Sequence, residues 1–469
     1  MTYQDRRRFL KSIGFAAAAA AIDRSAGAAI AGTRWKRPNI LFILADDLGY
    51  ADLSCYGRRD YETPVLDRLA AEGMRFTQAY SNSPVCSPTR VALATGRYQY
   101  RLAAGLEEPI GPTPAGETPR GLPPEHPTIA SLMRRAGYRT ALIGKWHLGA
   151  LPDYGPLKSG YEQFFGIVSG GADYVSHAAV GAGLPDLYDG ERRANIDGYL
   201  TELLTDKAVE YVTDAKRHDA PFLLSLHYTA PHWPWQAPGD GPVAKERALF
   251  HFEGGSLGVY ARMVQALDSG VGRVLEALRN AGLDSSTLVV FTSDNGGERF
   301  SDNWPFVGQK MDLLEGGVRV PQIVRWTREI PAGVVTEHVA ITMDWLPTLL
   351  TLGLAAGDAD YPPDGIDLSA VLRGGRLVTP RTLFWRMFYR NQAAIRAGEW
   401  KYLRMGTNEF LFDLATDPRE RANRRKDEPR HFAELKAQWE AWSTTMLPLP
   451  ASQRPYFDGG DLAGYHERK

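Results

Sequence analysis

Apolar runs of strand length that stop abruptly at polar residues restrict the fold of this chain more than any other feature. These runs cover residues 40–45, 140–143, 221–226 and 287–293. Continuous apolar runs of this length are typical of strands buried on both faces of a parallel sheet. Segments with helical periodicity lie between them, including residues 128–137 and 256–282. The alternation predicts an α/β fold, a large doubly wound and mostly parallel sheet flanked by helices.

The pattern changes after residue 375. Short strand-like runs separated by turns cover residues 382–388, 392–397, 400–404 and 409–413, and a helix is predicted over 429–444. They predict a smaller C-terminal α+β domain of antiparallel sheet plus helix. We therefore expect domains at 33–375 and 376–469 within the 469 residues. Within the first of these domains, residues 149–197 are rich in Gly, Pro, Asp and Tyr and are predicted to form a long loop region.

The N-terminus has the layout of a signal peptide. A basic stretch, Arg6-Arg7-Arg8-Phe9-Leu10-Lys11, precedes an alanine-rich apolar run over 13–22. The arginine pair resembles a twin-arginine export signal, which implies the twin-arginine machinery as a partner and export of a folded protein. We expect residues 1–32 to be the signal and the protein to be periplasmic or secreted. The apolar run is too short for a permanent membrane anchor.

Charge and cysteine content exclude several classes of protein. The 54 Lys and Arg residues balance 55 Asp and Glu residues, which leaves a formal net charge of −1. This balance gives no general surface for nucleic acid or anionic membrane, so any anion site must be local. The cysteines Cys55 and Cys86 allow at most one disulfide, so the chain is not a disulfide scaffold.

Carboxylate and amide side chains follow two of the predicted buried strands. Asp46 and Asp47 come after the first strand, and Asp294 and Asn295 come after the run over 287–293. Ligands of open α/β sheets bind at the carboxyl ends of strands. Adjacent buried carboxylates repel each other and need a cation or several donors. Oxygen ligands without zinc-type Cys or His spacing favour Ca²⁺ or Mg²⁺.

Basic side chains follow the other strands. Lys145 and His147 come after residues 140–143 and point to the same side of an extended segment. His227 and His232 both follow the run over 221–226, and spacing alone does not choose between them. Lys310 precedes a glycine pair at residues 316–317. Cations beside a divalent metal ion suit an anionic ester, either a sulfate or a phosphate.

Cys86 lies in the stretch Ser83-Pro84-Val85-Cys86-Ser87-Pro88-Thr89-Arg90. Pro88 restricts Ser87 to extended or turn geometry, and residues 89–96 are predicted to form a short helix that ends at glycine. Cys86 is therefore expected near a helix N-terminus, where negative charge is favoured.

The Cys86-x-Pro88-x-Arg90 pattern resembles the signature of the type I sulfatases, within the alkaline-phosphatase-like superfamily. Thr89 is a small departure, because serine is commoner there in the family. Further matching segments are residues 45–49, 144–149, 230–232, 293–297 and 315–319. The resemblance extends from Pro38 into the C-terminal domain. Its alanine-proline-histidine pattern matches His232 rather than His227.

The resemblance implies a modified nucleophile and a metal ion. Cys86 would be oxidised to formylglycine (3-oxoalanine) by a formylglycine-generating enzyme, and then no disulfide forms. One calcium ion, with magnesium the weaker candidate, would be held by Asp46, Asp47, Asp294, Asn295 and the modified Cys86. The substrate would be a sulfate ester, either a small aryl sulfate or a sulfated carbohydrate.

The resemblance also implies a role for each polar side chain. A hydroxyl of the hydrated aldehyde attacks sulfur with Asp294 as base, and His232 protonates the departing alcohol. Lys145, Lys310 and the metal offset charge on the sulfate oxygens, so that Lys145, His232 and Lys310 would contact the substrate. His147 deprotonates the second hydroxyl, and Arg90 holds the modified residue.

Two alternatives stay open from the sequence. The same scaffold serves hydrolases of phosphate diesters and phosphonate monoesters, and an inactive binding relative would keep a similar site. Trp233, Trp235 and residues 170–190 are equally compatible with a sugar or aryl pocket and with internal packing.

Overall fold

The computed structural model describes residues 37–111, 118–180, 183–243, 254–376 and 380–450. Residues from Pro38 onward form one compact unit. The predicted signal segment 1–32 lies outside the described residues. Among the described helices, none is both long and apolar enough to cross a membrane.

The strands alternate with helices along most of the chain. The strands are β1 Asn39–Ala45, β2 Met74–Phe76, β3 Ala79–Tyr80, β4 Arg139–Gly144, β5 Gln163–Ile167, β6 Leu187–Asp189, β7 Arg192–Arg193, β8 Phe222–His227, β9 Thr287–Ser293, β10 Gln322–Arg325, β11 Val334–Thr336, β12 Ala340–Ile341, β13 Thr382–Met387, β14 Gln392–Ala397, β15 Trp400–Met405 and β16 Asn408–Asp413. The helices are α1 Pro64–Ala71, α2 Cys86–Thr95, α3 Ile129–Arg135, α4 Leu200–Ala215, α5 Leu257–Asn280, α6 Glu315–Val318, α7 Trp345–Gly353, α8 Ser369–Leu372 and α9 Pro429–Ser443.

A ten-stranded sheet forms the centre of the molecule, in the order β11-β2-β10-β9-β1-β8-β4-β5-β6-β7. Strands β9, β1, β8, β4 and β5 are mutually parallel, whereas β10 and β6 run antiparallel to their neighbours. This confirms the predicted large, mostly parallel sheet.

Helices cover both faces of the sheet, which explains why the central strands are apolar throughout. Leu41 and Ile43 of β1 belong to the same buried cluster as residues of α4 and α5. Phe42 points to the opposite face and contacts Trp345 of α7 edge-on, with ring centroids 5.7 Å apart. Thr128 caps the N-terminus of α3, because its hydroxyl accepts a hydrogen bond from Ser131 N at 3.1 Å.

The long loop predicted over 149–197 is wrong in part. Strand β5 extends the sheet beyond β4, and β6 and β7 follow as a hairpin at the edge. These strands are only two to five residues long and have glycine within or beside them, such as Gly166 and Gly190. Short segments of this kind lack the long apolar run that identified the central strands, and their pairing with one another at the sheet edge beyond β4 decides their conformation.

The C-terminal strands β13–β16 form a separate antiparallel sheet, as predicted. Helix α9 packs on this sheet through Leu435 and Trp439. Trp385 and Leu403 of the sheet share a second buried cluster with residues of the main domain, including Val85 and Leu313. The domain boundary between residues 375 and 376 stays a prediction.

The register of the parallel strands gathers the predicted polar residues at one edge of the sheet. Ala45 of β1 pairs with Ser293 of β9, and the following residues, Asp46 and Asp294, therefore leave the sheet side by side. Gly144 of β4 pairs with His227 of β8, which brings Lys145 and the segment leading to His232 to the same edge.

Candidate active site

Three carboxylates and one amide lie together at the carboxyl ends of β1 and β9. Asp47 N donates to Asp294 Oδ1 at 3.2 Å, and Asn295 Nδ2 donates to Asp47 Oδ1 at 2.7 Å. Asp47 has a left-handed backbone, with φ of 62°. That conformation is unusual outside glycine and is common at functional sites. Asp46, Asp47, Asp294 and Asn295 are all fully buried.

Three cationic side chains neutralise these carboxylates. Lys145 Nζ lies 2.6 Å from Asp46 Oδ2, and Lys310 Nζ lies 2.6 Å from Asp47 Oδ2. Arg90 donates from Nε and Nη2 to Asp294 Oδ2 at 3.0 and 2.8 Å. Lys145, Lys310 and Arg90 are themselves buried, so each charge lies where only a partner or an anionic ligand compensates its loss of hydration.

Cys86 is the first residue of α2 and lies beside the carboxylates. Val85 before it is extended, and the chain turns into the helix at the cysteine. Cys86 Sγ is 3.9 Å from Asp47 Oδ1. Burial raises the pKa of the Cys86 thiol, so the unmodified side chain is a neutral thiol and a weak nucleophile. Cys55 and Cys86 are both free, and therefore no disulfide joins them.

The structure separates the two candidate histidines after β8. His232 Nε2 lies 3.5 Å from Asp47 Oδ2, while His232 Nδ1 donates to Trp233 O at 2.5 Å. His227 instead lies over Phe42 within the sheet layer, with ring centroids 6.5 Å apart. Burial lowers the pKa of His232, as do Lys310 and Lys145, against the opposing effect of Asp47. The ring at the site is therefore that of His232, as the family pattern predicted.

The backbone carbonyl of Ile110 holds the ring of His147 in place. Its Nε2 donates to Ile110 O at 2.9 Å, and Ile110 N donates to Ser87 Oγ at 2.7 Å. His147 Nδ1 is buried without a hydrogen-bond partner among the described residues, and burial lowers the pKa of the ring. His147 is therefore a neutral imidazole whose Nδ1 lone pair is available as a base.

The carboxyl groups of the cluster have opposite pKa shifts. Burial and the neighbouring Asp46 raise the pKa of Asp294 to about 7. Burial also acts on Asp47, but Lys310 and His232 outweigh it and hold the pKa of Asp47 well below its usual range. Glu298, which the sequence analysis missed, is buried near Lys310, and its burial raises its pKa to about 8. Additional positive charge in this cluster would stabilise the ionised carboxylates.

The donor atoms of the cluster fit a divalent metal ion. Asp46 Oδ1 and Asn295 Oδ1 are buried, and neither accepts a hydrogen bond from the part of the chain that the structure describes. One ligand atom from each of Asp46, Asp47, Cys86 and His232 lies within 4.8 Å of the others. Three of these residues belong to the predicted metal site, and His232 was expected to contact substrate instead.

Two glycines that the sequence analysis did not single out form the wall beside the histidines. A Cβ atom on Gly170 would lie 2.7 Å from His147 Cε1, and one on Gly171 would lie 3.0 Å from His232 Cε1. Trp233 stacks on His232 with ring centroids 5.5 Å apart, whereas Trp235 packs internally against Tyr260 and Phe300. Trp233 therefore lies next to the site, and Trp235 is a packing residue.

We expect Gly170→Ala to displace the His147 ring, because the added methyl group overlaps it. A misplacement of this size costs about 100-fold in kcat, measured as hydrolysis of 4-nitrophenyl sulfate with circular dichroism to confirm the fold. Gly241→Ala is the matched control, since a Cβ atom there meets none of the described residues within 4 Å. An unchanged kcat in Gly170→Ala would show that the position of His147 is not critical.

Comparisons with known proteins agree with this geometry. A family model described as Sulfatase matches residues 38–354. The chain is 33% identical over 398 residues to N-acetylgalactosamine-6-sulfatase of Canis lupus familiaris, covering 78% of this chain and 71% of that protein. It is 34% identical to arylsulfatase A of Homo sapiens over 432 residues, covering 84% of this chain and 79% of that protein. The solved structure of Ps i-CgsB in complex with k-i-k-neocarrahexaose superposes with a TM-score of 0.79 at 30% identity, over 92% of this chain and 97% of that one. The chain belongs to the sulfatase family, within the alkaline-phosphatase superfamily, and is a sulfuric ester hydrolase.

Proposed function

We propose that this sulfatase hydrolyses sulfate monoesters through a formylglycine made from Cys86, beside a calcium ion. The observation that carries the proposal is the position of Cys86 at the start of α2, 3.9 Å from Asp47 Oδ1 and among buried cations. A neutral buried thiol serves poorly as a recyclable carrier of a sulfate group. Once oxidised and hydrated, residue 86 would instead offer hydroxyl oxygens to the sulfur atom and to the metal.

Lys145 and Lys310 would bind the sulfate oxygens. In this structure their ammonium groups pair with Asp46 and Asp47 at 2.6 Å. A divalent cation would compete for these same carboxylate oxygens, and the ammonium groups would then be available to an anionic substrate. Preorganised positive charge of this kind stabilises the charge that develops on the sulfate oxygens in the transition state.

The two histidines would move protons on opposite sides of the reacting centre. His232 is neutral in the isolated site, and the negative charge of a bound sulfate ester would raise its proton affinity next to the departing alcohol. His147 would accept a proton at Nδ1, since its Nε2 is committed to Ile110 O. Arg90 would keep Asp294 ionised and in place through its paired hydrogen bonds.

Asp46, Asp47, Asp294 and Asn295 would hold the metal, together with residue 86. The identity of the ion depends on the modification. A cysteine thiolate with an imidazole nearby favours a softer ion such as Zn²⁺. Replacing sulfur by oxygen at position 86 leaves hard oxygen ligands, which favour Ca²⁺ over the more strictly octahedral Mg²⁺.

We propose a sulfated carbohydrate as the substrate, with small aryl sulfates as the second candidate. The supporting observation is that one relative is named an N-acetylgalactosamine-6-sulfatase and a similar structure was solved with a neocarrahexaose. Phosphonate or phosphodiester hydrolysis remains the alternative chemistry. A non-catalytic relative is less favoured, because Cys86, Arg90, Lys145 and Lys310 are all present.

Export of the folded protein, directed by residues 1–32, is a further proposal from the sequence, which cell fractionation would test.

Sulfate and phosphonate monoesters of 4-nitrophenol separate the two chemistries. We expect the larger kcat/KM for the sulfate, because the relatives that support the proposal are sulfatases. Release of nitrophenolate measures both reactions on the same protein preparation. A larger kcat/KM for the phosphonate would reject the assignment, and no turnover of either ester or of a sulfated sugar by modified, calcium-loaded protein would favour the non-catalytic relative.

Calcium is expected to stabilise the folded protein. Ca²⁺ at 100 times its dissociation constant adds about 2.7 kcal/mol to the free energy of unfolding, seen as a rise in the midpoint of thermal unfolding. Asp46→Asn should lose most of this rise, because it removes a buried ligand charge while preserving shape. Asp219→Asn, at an exposed position, should keep it. No calcium-dependent rise in the unsubstituted protein, or an equal rise in Asp46→Asn, would contradict the metal site.

A further inference from the structure

The turn Tyr389–Asn391, between β13 and β14, belongs to the C-terminal sheet but is attached to the loop that carries Lys310. Gln392 is fully buried, and its side chain makes the connection. Its Nε2 donates to Met311 O at 2.8 Å and to Tyr389 O at 3.1 Å, while its Oε1 accepts from Leu313 N at 2.9 Å. The turn is therefore fixed one residue away from Lys310.

A second attachment reaches the His147 side of the site. Glu108 accepts from Phe388 N through Oε1 at 3.0 Å and from Tyr389 N through Oε2 at 3.2 Å. Two residues further along the chain, Ile110 O accepts the hydrogen bond of His147. The turn is thus anchored to both segments that flank the active site.

The turn has a strained backbone. Arg390 and Asn391 are consecutive non-glycine residues with φ of 56° and 46°. Surrounding contacts hold this conformation, since Gly406 N donates to Arg390 O at 2.8 Å and Arg404 Nη2 donates to Asn391 Oδ1 at 3.1 Å. Left-handed residues of this kind persist where the structure fixes them and are concentrated at ligand contacts.

The guanidinium of Arg390 lies beside the Lys310 loop, and its N–H groups are available to a ligand. Its side chain is 35% exposed, and Nη1 is 3.8 Å from Asp312 Oδ1, beyond hydrogen-bond distance. Its Cζ lies 5.3 Å from the centroid of the Tyr389 ring. Within the described ranges of the chain, the group donates no hydrogen bond. A planar guanidinium that is partly exposed and donates no hydrogen bond to the described residues suits a bidentate contact with a sulfate or carboxylate.

We propose that Arg390, with Tyr389 supporting its guanidinium, binds a second anionic group on the alcohol part of the substrate. This inference rests on the proposed function and deepens it, because it selects carbohydrates with more than one acidic group over singly sulfated sugars and simple aryl sulfates. Lys310 contacts the ester that is cleaved, and Arg390 contacts a neighbouring sulfate or carboxylate. The overall charge of −1 gives the chain no general attraction for polyanions, so this selectivity must come from a local contact.

Binding of two sugars that differ by one sulfate tests the proposal. The probes are D-glucosamine 2-N,6-O-disulfate and D-glucosamine 6-O-sulfate, titrated calorimetrically into calcium-loaded protein carrying Cys86→Ser to block turnover. We expect the disulfated sugar to bind about fivefold more tightly, as one charge-assisted contact at a partly exposed site provides. Adding Arg390→Ala should abolish this preference, and Arg390→Lys should retain part of it.

The control is Arg421→Ala, which removes the same charge from an exposed position of the C-terminal domain and should leave the preference unchanged. Equal binding of the two sugars, or a preference that survives Arg390→Ala, would overturn the assignment of Arg390. Hydrolysis of 4-nitrophenyl sulfate by the modified protein, without the Cys86→Ser substitution, tests the proposed function separately, since that ester has no second acidic group.

Discussion

The charge balance at the carboxyl ends of β1 and β9 is the interaction on which the rest of the site depends. Asp46 and Asp294 leave neighbouring strands in register beside Asp47, and burial acts to raise the pKa of Asp47 and of Asp294. Lys145, Lys310 and Arg90 oppose this effect with their positive charges, each from a different segment of the chain. Because a divalent metal ion and an anionic substrate would bring opposite charges to the same cluster, binding of either one changes the partners available to the other.

The C-terminal sheet supports the site from a distance. Lys401 of β15 is fully buried and pairs with Glu315 at 2.9 Å and Glu420 at 2.8 Å. Glu315 N donates to Glu420 Oε2 at 2.6 Å, which fixes the start of α6 just after the Lys310 loop. Breaking such a buried pair by removing one partner is costly, because a charge is left unpaired. The smaller sheet is therefore a support for one wall of the site, and through Arg390 we propose that it also contacts substrate.

Most residues that cluster at the candidate site were singled out from the sequence because they lie at strand ends. Asp46, Asp294 and Lys145 follow apolar runs that are recognisable without tertiary information, and Cys86 and Arg90 lie in a short motif. Ser87 was given no role and Gly170 was named only as part of a possible pocket, because their importance comes from close approach to Ile110 and His147, far away in the chain. The choice of His232 over His227 came from the family pattern, and the structure explains it by the packing of His227 on Phe42. Strands β5–β7 were missed because pairing at the sheet edge determines them.

The conversion of Cys86 is the central claim, and the mass of the tryptic peptide 76–90 tests it most directly. The protein should come from a host that contains a formylglycine-generating enzyme. We expect a peptide lighter than the unmodified one, with the thiol replaced by an aldehyde that reacts with a hydrazide reagent. An intact thiol in protein that still hydrolyses sulfate esters would contradict the account, because the nucleophile would then be a different group.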